Sequence, residues 1–208
     1  MKIVKKFWMG SLVLLLALSI GQNCKRKPDP DPDPDPDPVV NHELQIRRFT
    51  TASLTNARAD QILAEKGTIL QTDDGSGDVA CNVAFTRIGN VTTFATGSGT
   101  INSEADFTAV NNLPGHIKVV NQINWCGSFA PNIIGCAPVP GNSLVVVRFT
   151  ENQEGLLWVH EFGHNKGLLH RDVTNAVMRP VININNKEVN SSECNSYRVA
   201  SATAVTTK

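Results

Sequence analysis

The sequence predicts a mixed α/β domain, and three observations point there. Residues 53–66 place apolar side chains at near-helical spacing, later runs are dense in β-branched and aromatic residues, and residues 152–165 return to a helical pattern. With 15 Gly, 11 Pro and only 18% charged residues, the chain suits a loop-rich mixed fold better than a helical bundle.

The elements follow in order. Ser53 or Thr55 can cap the first helix, Leu54, Ala57, Ile62 and Leu63 give it an apolar face, and Gly67 can stop it. Residues 79–88, 91–95, 116–125 and 144–149 have the composition of strands. Leu144-Val145-Val146-Val147 is continuous rather than alternating, which predicts a strand buried on both faces. In the helix over 152–165, Leu156, Leu157 and Trp158 belong to the inner, core-facing side. A short helix over 191–199 starts from Asn190, and Glu193 three residues on completes the pattern of a capping box.

Charge divides the chain unevenly. Net charge is zero, yet residues 1–38 hold six basic side chains and five Asp, leaving 13 basic and 14 acidic groups in the rest. A near-neutral body argues against a nucleic-acid binder, which would show a basic stripe. One domain over residues 41–208, acting as a monomer, is the expectation.

The first 23 residues form a signal peptide. Lys2, Lys5 and Lys6 precede an uncharged apolar run over 7–21 that is short for a membrane span. Residues 24–40 are a linker. Five consecutive Asp-Pro dipeptides end at Pro38, and proline's fixed φ with repelling carboxylates predicts an extended polyproline II spacer. Two cleavage positions compete. Ser19 or Gly21 can sit at an ordinary signal-peptidase site, or Cys24 can take a lipid, since it resembles the acylated cysteine of bacterial lipoproteins although Gly21-Gln22-Asn23 departs from their usual pattern. Cysteine parity favours the second, because lipidation of Cys24 leaves an even set in an oxidising compartment. The product is then exported, held at a membrane by Cys24 or secreted. Among the remaining four, closeness in sequence favours Cys126 with Cys136, leaving Cys81 with Cys194.

Residues 160–170 read His-Glu-Phe-Gly-His-Asn-Lys-Gly-Leu-Leu-His. On a helix His160 and His164 lie about 40° apart on one face and can grip one ion. Gly167 permits the positive φ that ends the helix and can bring His170 back as a third ligand. Three neutral imidazoles leave zinc its full charge and an open position, and Glu161 is placed to act as general base. At this chain's own residue frequencies the five fixed positions coincide by chance with probability on the order of 10⁻⁵, so scattered surface histidines are a poor explanation.

Here the sequence resembles the metzincin zinc peptidases. Their long motif, HExxHxxGxxH, is matched at every fixed position by His160, Glu161, His164, Gly167 and His170. Met178, in Asn175-Ala176-Val177-Met178-Arg179-Pro180, resembles their methionine turn. Its distance from His170 and the proline two beyond it are similar to the matrixin branch, whereas Arg171-Asp172 departs from the Ser or Thr usual there. The resemblance implies a metzincin-like α/β (α+β) fold: a twisted, mixed, mostly parallel sheet, a backing helix, an active-site helix and a small C-terminal subdomain. It also implies one catalytic zinc and a protein or peptide substrate bound as an extended strand along a sheet edge. Residues 116–125 are the candidate edge, and Pro180, Val181 and Ile182 the expected wall of the specificity pocket.

The functional expectation is a zinc-dependent endopeptidase. The alternative is a non-catalytic surface lipoprotein with structural zinc. Glu161 separates the two, because a structural site needs no base and would offer a fourth ligand, for which Asp172 is the only nearby candidate. The run Thr72-Asp73-Asp74-Gly75-Ser76-Gly77-Asp78 could hold calcium, but it lacks the EF-hand pattern and a solvated turn is the better expectation. His42 and His116 have no ligand spacing and are taken as non-ligands.

Overall fold

The structure, a computed structural model, describes residues 37–199 apart from Ser76. The signal segment, Cys24 and all but the last Asp-Pro dipeptide lie outside the described residues. Asp37 already belongs to the domain, its carbonyl accepting from Asn82 Nδ2 at 2.8 Å.

The first segment is extended. Strands β1 (Val40–Leu44) and β2 (Ile46–Phe49) run almost continuously. His42, Leu44 and Ile46 are buried while Asn41, Glu43 and Gln45 face out, the period of two that a strand imposes. Sequence patterning misses it because a histidine and two arginines interrupt the apolar set. Helix α1 (Asn56–Gln71) is capped by Thr55, whose Oγ1 accepts from Arg58 N at 3.1 Å.

Gly67 does not stop this helix. Ala59, Ile62, Leu63, Lys66, Gly67 and Leu70 are all buried at helical spacing, so the face packed on β3 (Val83–Arg87) continues past the glycine. That burial outweighs the roughly 1 kcal/mol that glycine costs in a helix interior. Ala57, expected on the apolar face, is exposed.

The central sheet has the order β4-β2-β6-β10-β9, with β4 at Thr92–Phe94, β6 at Ile117–Val120, β9 at Gly135–Cys136 and β10 at Leu144–Val147. All pairs are parallel except β10 with β9. As expected, Leu144, Val145 and Val146 are buried in the interior of the sheet.

The predicted strand over 116–125 divides. At Asn121, whose N–H donates to Gly99 O at 2.9 Å, the chain leaves β6 and enters β7 (Gln122–Trp125) of a second sheet. There β7 lies between β5 (Thr100–Ile101) and β8 (Phe129–Ile133). The candidate edge is therefore corrected: β6 is hydrogen-bonded on both sides, by β2 and β10, and cannot accept another strand. The edge of the central sheet beside the histidine helix is β9.

Helix α2 (Glu104–Asn111) was not anticipated, although Ser103 accepting from Asp106 N carries a legible cap signal. A 3₁₀ turn over Glu151–Gln153 leads into α3 (Glu154–Asn165), every residue of which is buried, Leu156, Leu157 and Trp158 among the deepest. Such a helix is held by its surroundings, with α1 on one side and β10 on another. Helix α4 (Ser191–Arg198) opens with the expected capping box, Asn190 and Glu193 each bonding the other's backbone N–H. The disulfides are Cys126–Cys136 and Cys81–Cys194, as the spacing suggested.

Candidate active site

Helix α3 delivers His160, Glu161 and His164 to one niche, and the chain then reverses at Gly167, where φ is +83°. Leu168 N–H closes the turn onto Gly163 O at 3.0 Å. The reversal brings His170 against the other two histidines. One ligand nitrogen from each of the three lies within 4.8 Å of the others, and His164 Nε2 and His170 Nε2 are 3.2 Å apart.

Two of the imidazoles are oriented from behind. His160 Nδ1 donates to Val177 O at 2.7 Å, and His164 Nδ1 donates to Leu168 O at 2.8 Å. A carbonyl can only accept, so the proton sits on Nδ1 and the Nε2 lone pair faces the niche. Burial lowers the pKa of all three rings, His160 to about 4, which keeps them neutral and able to ligate.

Glu161 is buried, and its Oε2 has no hydrogen-bond partner among the described residues. Burial alone pushes its carboxyl up to about 8. Three imidazole nitrogens gathered within 4.8 Å, beside a buried carboxyl oxygen with no partner among the described residues, make an arrangement that a divalent cation completes. The neutral nitrogen donor set is the one zinc takes, so these residues fit the ion. Asp172 is exposed and outside the triad.

Met178 is fully buried beneath the niche, its Sδ accepting from Tyr197 Oη at 3.3 Å. A Cβ placed on Gly163 would collide with Met178 Sδ and come within 2.5 Å of Tyr197 Oη. Gly163→Ala is therefore expected to destabilise the domain by about 1–3 kcal/mol through overpacking. Denaturant unfolding measures it, and an unchanged midpoint would contradict the packing described.

A cleft of about 620 Å³ runs past the triad. Its lining takes in Ile134 and Gly135 at the edge strand, Ala137 and Val139 beyond it, and Leu169, Pro180, Val181 and Ile182 opposite. The three residues expected in a pocket wall thus do face the cleft. Gly135 was not expected at this site from sequence, yet a side chain there would run into the Glu161 carboxylate. A larger cavity, of about 980 Å³, lies away from the triad between α1 and Ile184.

The other singled-out residues are engaged elsewhere. His42 Nε2 donates to Tyr197 O, and His116 Nδ1 accepts from Gln45 N. Asp78 accepts from Asp74 N at 2.9 Å and Val189 N at 2.6 Å, so it fastens the 72–78 turn to the segment before α4.

The sequence matches the Matrixin family model over residues 71–200. No curated protein matches it. Among solved structures, the archaemetzincin of Methanopyrus kandleri is similar at a TM-score of 0.49 and 13% identity, over 76% of this chain and 94% of that one. Because the family match runs from the end of α1 through the edge strand, the histidine helix and α4, the chain belongs to the Matrixin family of zinc metallopeptidases.

Proposed function

We propose that the domain is a zinc-dependent endopeptidase in which Glu161 is the general base. The observation that carries this reading is the buried Glu161 carboxyl, whose Oε2 has no hydrogen-bond partner among the described residues, one residue from His160 and on the wall of the cleft. His160, His164 and His170 would hold the ion, and zinc so held supplies Lewis acidity and brings a water's pKa to roughly 7.

The chain's own groups do the rest. Strand β9 offers its outer edge to an extended peptide, which joins the sheet as a further strand. The side chain after the scissile bond enters between Val139 and the wall made by Pro180, Val181 and Ile182. Glu161 takes a proton from the attacking water and hands it to the departing amine. Gly135, by lacking a side chain, leaves the Glu161 carboxylate its place.

Attachment of the exported protein through Cys24 is part of the same proposal. Quenched-peptide library turnover is the test of activity. Hydrolysis should stop when a chelator strips the metal and return when zinc is restored. A protein that holds zinc yet cleaves nothing across a broad library would instead be a surface binding module.

A further inference from the structure

We propose that Arg171 is a positioning residue for the third histidine, holding His170 in the niche by clamping the chain behind it to α4. The inference rests on the reading of the triad as a zinc site.

His160 and His164 are each fixed twice, once by a buried helix and once by a carbonyl behind the ring. Among the described residues His170 has neither support. It lies beyond the Gly167 reversal, outside any helix or strand, and is exposed. Its ring contacts are with His160 and His164. A ligand so placed would lose conformational freedom on joining a metal, and its affinity would fall accordingly.

Arg171 removes that freedom in advance. Its N–H donates to Met178 O at 2.8 Å, tying the residue after His170 to the turn beneath the niche. Its guanidinium forks onto Glu193, Nε to Oε1 at 2.7 Å and Nη2 to Oε2 at 2.9 Å, and Nη2 also reaches Glu188 O at 3.1 Å. Such a bidentate pair fixes direction as well as distance, which a lysine cannot do.

The anchor itself is rigid. Glu193 is 6% exposed, and Asn190 N donates to its Oε2 at 2.9 Å within the capping box. Its neighbour Cys194 is bonded to Cys81. Glu188 O also accepts from Val177 N at 2.9 Å, and Val177 O is the carbonyl that orients His160. One network therefore holds both His160 and His170. It gives a physical reason for an arginine at the position where the sequence departs from the family's usual Ser or Thr.

The test compares full-length wild type with Arg171→Met, Arg171→Lys and Glu193→Gln, reading zinc affinity by competition with a chromophoric chelator. Removing a direct outer partner of a metal ligand typically weakens binding about 10- to 100-fold. Arg171 acts on His170 through the chain and not on its ring, so a loss at the lower end, about 10-fold, is expected for Arg171→Met. Arg171→Lys should fall between it and wild type. Glu193→Gln keeps the capping acceptor but loses the charged fork, so it should weaken zinc in the same direction. Cobalt-substituted spectra should show a disturbed ligand field in Arg171→Met, a change that loss of remote packing would not produce.

Zinc affinities of Arg171→Met and Glu193→Gln within about twofold of wild type would overturn the inference. So would a weakened Arg171→Met with a normal cobalt spectrum and an unaffected Glu193→Gln, which marks a role in packing alone. Wild type that holds no zinc would overturn the metal-site reading itself, a result distinguishable from either.

Discussion

Replacing Glu161 with alanine is expected to cut peptide hydrolysis by about 10²- to 10⁴-fold while leaving zinc content at the wild-type level. The side chain is not one of the three converging histidines, so its loss should not empty the site. What disappears is the only carboxylate on the cleft lining among the described residues. Without it the attacking water has no nearby acceptor for its proton, and the leaving amine has no donor. Alanine also removes a buried carboxyl whose Oε2 has no partner among the described residues, so stability should hold or rise. His164→Ala gives the contrasting result, with metal and activity lost together because a ligand has gone. Elemental analysis alongside peptide turnover separates the two. A Glu161→Ala protein that cleaves as fast as wild type would refute the assigned base.

The site was legible because its chemistry is written locally. Two histidines four apart, an acid beside the first and a glycine three beyond the second specify helix, reversal and candidate ligand set without any long-range information. The edge strand is a different matter. Residues 116–125 mix β-branched with polar side chains along their whole length, and nothing local distinguishes one long strand from two short ones that diverge at Asn121 into separate sheets. Which strand ends a sheet depends on sheet order, and that is decided by partners far away in sequence. Gly135 acquires meaning only once the Glu161 carboxylate is seen lying against it.

Lys66 was hidden for a related reason. Beside Gly67 it resembles the solvated end of a helix, yet it is fully buried with Nζ 3.8 and 3.7 Å from the ring centroids of Phe85 and Phe162. Burial pushes its pKa well down, and two ring faces stand where hydrogen-bond partners would be. Phe162 belongs to the histidine helix, so this lysine helps fill the space behind the niche. No periodicity marks a lysine for that task.

Removing the Cys81–Cys194 disulfide, as Cys81→Ala with Cys194→Ala, is expected to destabilise the domain by about 2–5 kcal/mol, the largest stability loss predicted for this chain. The bridge spans 113 residues of sequence, against 10 for Cys126–Cys136. In the chain-entropy account the long loop contributes about 5 kcal/mol and the short one about 2–3 kcal/mol. Packing acts in the same direction, since Cys81 and Cys194 both belong to the hydrophobic core, and truncation there leaves a small void. The consequence should reach the metal. Cys194 follows Glu193, and Glu193 clamps Arg171 next to His170, so a loosened α4 should also release zinc more readily. Urea unfolding at one fixed free-zinc concentration measures the first effect, because ligand binding otherwise adds its own stabilisation. Chelator competition measures the second. If the double variant unfolds within about 1 kcal/mol of wild type, or loses no more than the Cys126–Cys136 variant, then the long bridge is not what holds α4 against the strands.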